Sequence, residues 1–374
     1  MAGQKGENLK KWFMKNLILP NNEIIDKPGY IANLQLGQKS GKIYMREVFV
    51  PETYMADVED AFIERYGVEG KRALYEAGKR WGILFDEVVR APTKKQMSAE
   101  EFRGFVDTLI KYLKSEYASD MSYSLDMDND TLELISKDLL ICSKNGKGYF
   151  LLGALTGAWS FITCRDDVEG AQRACQGQGS PECVMVCAPK GSLRPGEYFR
   201  VERSETMSVE RYAFLNKLRK LDYAKNSLLD LLTARIVTYE GGFFRLGNER
   251  LVFNECSFIY VLESVLARLE GGEELFFKVT FDYFKRFGRK MKISRKGITD
   301  LLPALGWGGI LVGSDNSSVL CESHPWAGAG VRSRFVMFRG MLSGLVSSYS
   351  GRDVFYRRAN TSISQGVMDM RLEA

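Results

Sequence analysis

A single histidine, His324, is all that this chain offers for imidazole chemistry. Histidine-rich metal sites are therefore excluded, and a Ser-His-Asp triad would depend on this one residue. His324 stands in CESHPWAGAG, between an expected strand and a glycine-rich loop, with no G-x-S-x-G nucleophile motif beside it. It reads as a loop histidine rather than a catalytic base. Asp166, Asp167 and Glu169 form an acidic cluster. Paired carboxylates can do acid–base or metal work, but an exposed acidic loop is the plainer reading. The run Lys285 to Gly297 holds seven basic residues in thirteen. It could meet a phosphate backbone or an acidic membrane surface, yet a solvated helix end favoured by the helix dipole explains it too. No nucleic-acid-binding signature accompanies it, so nucleic acid is not an expected partner. No P-loop or dinucleotide glycine motif stands in the required context. Seven cysteines, odd in number and unevenly spread, argue for a reducing compartment rather than a disulfide framework.

The elements that must position these residues repeat. REVF (Arg46 to Phe49) precedes a helical stretch ending in EAGKRWG, and RLVF (Arg250 to Phe253) precedes one ending in DYFKRFG. Each stretch breaks at glycines, Gly67 to Gly70 in one and Gly271 and Gly272 in the other, so each predicts two helices. Apolar residues at helical spacing agree: Val58, Phe62 and Tyr66, then Leu74, Ala77 and Trp81; later Leu262, Val265 and Leu269, then Val279, Tyr283 and Phe287. The capping box Ser98-x-x-Glu101 opens a third helix, whose shorter counterpart around Ile298 to Leu305 is broken at Pro303. Alternating strands follow around turns at Asp128 to Asp130 and at Ser314 to Ser317. Each copy then has a Gly-x-x-x-Gly helix, GALTG (Gly153 to Gly157) and GMLSG (Gly340 to Gly344), and closes in a hairpin. The small residues are expected to let that helix approach the sheet and to leave room beside it.

At 374 residues, with 45% hydrophobic and 26% charged residues and a net charge of +5, the chain fits a two-domain globular protein. The predicted fold class is α+β: two tandem modules, each with helices packed on a twisted antiparallel sheet. Residues 1–28 form an N-terminal extension, 29–190 the first module, 191–235 a linker with one long helix from about Val209 to Ala234, and 236–374 a second, degenerate module. The two copies are expected to pack as a pseudo-twofold pair. The apolar run Leu17 to Pro20 is too short for a signal sequence, and no apolar run reaches 18 residues, so no membrane span is expected and the cytoplasm is the predicted location.

Gly153-x-x-x-Gly157 followed by Cys175-Gln-Gly-Gln-Gly-Ser-Pro-Glu-Cys183 resembles the 4-vinyl reductase domain family. That family includes sensor domains of phenol-responsive activators and is distantly similar to small subunits of the TRAPP tethering complex. The resemblance implies a pocket for an apolar or aromatic small molecule, with Phe62, Trp81, Phe85, Ala154, Trp159 and Phe161 as wall residues in the first copy. Phe277, Phe281, Phe284 and Trp307 are the second copy's candidates. It also implies structural zinc on Cys175 and Cys183. Gly148 and Gln172 stand where the family's upstream cysteine and glutamate would be, so Cys142, Cys164, Glu169 or Cys187 would have to substitute. Free thiols at a tight hairpin remain the alternative. The second copy's corresponding positions lie near Arg358 and Gly366, so no zinc is expected there.

The expected function is a non-enzymatic sensor or carrier of a hydrophobic small molecule, with a protein partner for its output and a homodimer as its assembly. An accessory reductase acting on a tetrapyrrole or aromatic vinyl group, or a TRAPP-like assembly scaffold, are the alternatives.

Overall fold

The two strands that open the repeats lie side by side. In the computed structural model, which describes residues 23–34, 44–89, 91–142, 147–201, 218–240, 243–325, 334–364 and 367–374, β3 (Tyr44–Pro51) pairs antiparallel with β10 (Glu249–Glu255). Phe49 faces Phe253 in that register, their rings stacked 4.6 Å apart. The same spacing separates Arg46 from Arg250 as Phe49 from Phe253, so the local twofold of the strand pair is the axis that relates the copies. β3 and β10 join their neighbours β1 (Glu23–Ile24), β2 (Ala32–Leu34), β8 (Val237–Glu240) and β9 (Phe243–Leu246) in one six-stranded sheet, order β1-β2-β3-β10-β9-β8. β1 thus falls inside the stretch read as an extension.

Beyond β3 the first module runs through α1 (Glu52–Tyr66), α2 (Val68–Val89), α3 (Ala99–Tyr117), the hairpin β4 (Asp120–Asp126) and β5 (Thr131–Lys137), α4 (Tyr149–Thr163), and the hairpin β6 (Val168–Ala174) and β7 (Cys183–Pro189). After α5 (Leu228–Thr233), the second repeats the succession: α6 (Ser257–Leu266), α7 (Gly272–Lys290), α8 (Arg295–Ala304), β11 (Gly309–Val312), β12 (Ser318–His324), α9 (Val336–Ser350), β13 (Arg358–Ser364) and β14 (Val367–Glu373). The sheets β4-β5-β7-β6 and β11-β12-β14-β13 have the same antiparallel order. The fold is α+β with two tandem modules. Ser98 caps α3 through the box expected of it. No helix among the described residues is long and apolar enough to cross a membrane.

The modules share one interior. A single apolar cluster runs from Val48, Phe62 and Trp81 to Phe258, Phe284 and Trp307. Two arginines cross the axis in opposite directions. Arg250 donates to both Glu52 carboxylate oxygens, at 2.6 and 2.7 Å, and to the Asp138 carbonyl; Arg46 donates to the carbonyls of Gly29, Gly306 and Ser323. A buried pair such as Arg250–Glu52 fixes orientation more than it adds stability, because each charge forfeits its hydration.

Several expectations need correction. His324 ends β12 and is buried, edge-on to Phe338 at 4.5 Å, because the strand continues further than the glycine-rich sequence suggested. Pro303 sits in the last turn of α8 without breaking it. The long connecting helix is not present over residues 218–227; the helix there is the six-residue α5, started by the Ser227–Asp230 capping box. The remainder of that expected helix, 209–217, lies outside the described residues. Arg358 opens β13 whereas Cys175 follows the end of β6, so Arg358 is not the counterpart of Cys175. Gly366 lies outside the described residues.

The Gly-x-x-x-Gly helices face a neighbouring helix, with consequences for the pocket. A Cβ on Gly153 or Gly157 of α4 would sit 2.0–2.1 Å from the carbonyls of Tyr75 and Lys79 on α2. One on Gly78 or Gly82 would meet Phe150 and Ala154 as closely. Four glycines thus bring two backbones into contact, and the room they provide is taken up by that contact.

Candidate metal centre

Three cysteines from three separate segments converge in the first module. Cys175 follows β6, Cys183 opens β7, and Cys142 comes from the loop after β5. Their sulfurs all lie within 4.8 Å of one another, all three are buried, and none is in a disulfide. Tetrahedral zinc–thiolate geometry puts sulfurs about 3.8 Å apart, so this cluster could hold a metal with little movement. The Gln176 backbone N–H donates to the Cys183 sulfur at 3.3 Å. The Cys142 and Cys183 thiols and the Gly177 and Gln178 N–H groups pull the Cys175 thiol below its ordinary value.

No protein-family model and no curated protein matches this chain.

Local geometry explains why Cys142 completes the set. A Cβ on Gly148 would lie 2.5 Å from the Cys142 sulfur and 3.4 Å from Gln172 Nε2. Cys142 thus occupies the space that a side chain at 148 would need, and the left-handed φ of +68° at Gly148 also favours glycine there. Gln172 Nε2 is buried with no hydrogen-bond partner among the described residues. Turning the amide over would present its oxygen instead. The other expected substitutes are elsewhere. Cys164 is exposed, and Cys187 sits by Thr156 with burial pushing its thiol up to about 12.

The loop that carries Cys142 is held from the other module. Glu52 accepts from Ile141 N–H at 2.7 Å while Arg250 grips Glu52 and the Asp138 carbonyl. Glu59 holds the far side, accepting from the N–H groups of Lys147, Gly148 and Phe150 at the start of α4. Burial raises the Glu59 carboxyl to about 7 despite those bonds. Glu263 does the same work at the start of α9, accepting from Arg334 and Val336 N–H. Neither glutamate stood out in the sequence, although each falls ten residues after the phenylalanine of its repeat.

Glu169 is not part of an exposed acidic loop. It is fully buried in β6, 2.7 Å from Lys79 Nζ and 2.8 Å from Tyr75 Oη, both donating. Burial pushes the Lys79 amine down, and Glu169 opposes that shift. Of the cluster read there, Asp166 is exposed and Asp167 pairs with Arg165.

The candidate wall residues divide among surroundings. Phe62, Trp81, Phe85 and Ala154 belong to the shared interior, where Trp81 packs on Phe150 and on Phe258 of the second module. Trp159 lies in a separate cluster with Phe102 and donates to the Asp130 carbonyl. Phe161 is half-buried and belongs to neither cluster. Phe284 and Trp307 line a small apolar void of about 20 Å³ in the second module; Phe277 lines an open groove. Part of the basic run is engaged: Lys285 with Asp353, Arg286 with Asp57, and Arg295 with the Ser314 carbonyl.

Proposed function

We propose that this protein is a non-enzymatic binding protein whose first module is stapled by zinc and which takes up a hydrophobic small molecule as sensor or carrier. The observation that carries the reading is the three-thiol cluster. It supplies, through Cys142, the sulfur that the 4-vinyl reductase resemblance leaves missing at Gly148. When bound, zinc would hold the β6–β7 hairpin to the loop after β5 and contribute folding energy; no chemistry on the ligand is asked of it. The polar groups buried nearby are engaged structurally: Lys79 with Glu169, and Glu59 with the start of α4.

The ligand site we assign to Phe62, Trp81, Phe85 and Ala154, where aromatic surface from both modules meets. Trp159 and Phe161 would shape the module without touching the ligand. Ligand entry there requires the modules to part, so binding should couple the two. Native mass spectrometry, with a thermal-shift screen of phenols, fatty acids and tetrapyrroles, tests this. A retained or stabilising apolar compound supports it, whereas a bare chain that no compound stabilises rejects it. A second reading, an assembly scaffold, is favoured by the backbone contact between α2 and α4, which fills space a pocket would need.

A further inference from the structure

In the first module the outer edge of β6 is covered by the chain itself. Past β7, Tyr198 forms an antiparallel bridge with Ala171. Phe199 packs 5.7 Å from the rings of both Tyr75 and Tyr149. The Val201 N–H donates to Glu169, and Glu197 pairs with Arg173 at 3.0 Å.

Among the described residues, nothing covers the corresponding face of the second module. Gly153 lies on the Tyr75 carbonyl, and Gly340 lies on that of Phe277. Gly170 approaches Thr156, and Tyr356 N–H donates to Ser343, so Phe355 stands where Glu169 stands. The covering segment Tyr198–Val201 therefore has as its counterpart a groove of about 310 Å³ lined by Glu273, Glu274, Phe277, Arg339, Phe355 and Arg357. Phe355 is 37% exposed, and beside it β13 forms the outer strand of its sheet. An open strand edge next to an exposed aromatic floor is what strand-addition sites present to a peptide.

We infer that this groove receives an extended segment of a partner polypeptide, paired to the outer edge of β13. Its aromatic side chain lies on Phe277 and Phe355, and an adjacent carboxylate faces Arg357. Charge selects the carboxylate. The first module's covering segment offers Glu197 to an arginine of its edge strand, and Arg357 and Arg358 are both exposed at the equivalent edge. Arg339 is already engaged by Glu273 and the Arg357 carbonyl. The floor has lost the Glu169 carboxylate, so the apolar part of the contact is larger than in the first module.

The test is fluorescence anisotropy of the full chain with a labelled synthetic peptide of the sequence Arg194 to Val201. Saturable binding is expected, weakened about tenfold or more by Phe355→Asp and by Arg357→Glu, with the melting temperature of each variant showing that the fold is kept. Replacing the peptide's phenylalanine by alanine should weaken binding as much. Absence of saturable binding, or binding indifferent to both substitutions, overturns the proposal. Self-association abolished by Phe355→Asp would put a second copy of this chain in the groove and also overturn it.

Discussion

The two modules share one topology and fill the same place with opposite chemistry. Between the second helix, the glycine helix and the edge strand, the first module buries Tyr75, Lys79 and Glu169; the second holds Phe277, Phe281 and Phe355, the last two 4.9 Å apart. The first module is covered there by its own chain, and the second is open among the described residues. The fold itself requires neither filling. A buried charge pair must be sealed and satisfied, whereas an aromatic floor can be left for something else to cover.

Breaking the pair should give the largest effect. Lys79→Met takes from buried Glu169 its cation at 2.7 Å, leaving only Lys190 at 3.9 Å, and should cost about 3 kcal/mol in denaturant unfolding. The triple change Tyr75→Phe, Lys79→Phe, Glu169→Phe copies the second module and should recover most of that loss. If the triple variant is as unstable as the single one, the modules are not interchangeable at this place.

A smaller effect separates the glycine contacts. A Cβ on Gly153 meets backbone at 2.0 Å, whereas one on Gly340 first meets the Thr280 side chain at 2.9 Å. Gly153→Ala should cost about 1–3 kcal/mol and Gly340→Ala less, measured by the same unfolding curves. Equal costs would mean that the second module is as tightly closed as the first.

The repeat was legible because its landmarks are local: the RxVF strands, the glycine breaks, the Ser98 capping box and the two Gly-x-x-x-Gly helices. The hairpin cysteines were legible for the same reason. What escaped was set by tertiary distance. Glu169 looked exposed because Lys79, its partner, lies on α2 and far back in the chain. Cys142 was one of four candidate substitutes, and the meeting of the β5 loop with the hairpin selected it. The glycines signalled a close approach, but to the sheet; the structure sets them against the backbone of α2 instead.

The subtlest contrast is in pH dependence. Glu59 has a folded value near 7 against about 4.3 unfolded, so its retained proton stabilises the native state fully below about pH 4.3. That contribution is lost as pH rises through about 7. Wild type should therefore lose stability relative to Glu59→Gln between pH 5 and 7, on the order of 1 kcal/mol per pH unit, in unfolding curves at matched ionic strength. Parallel pH profiles would show that Glu59 is ionised throughout, held so by its three N–H donors.

Metal content tests the central claim, that the first module is built around a thiolate metal centre and the second is not. The protein purified without chelators should carry one zinc per chain by elemental analysis, and Cys142→Ser, Cys175→Ser and Cys183→Ser should each abolish or sharply reduce it. Cys321→Ser, a buried cysteine of the second module, should leave it unchanged. Protein that carries no zinc and takes up none when it is added, or zinc that survives the first-module substitutions, would contradict the account.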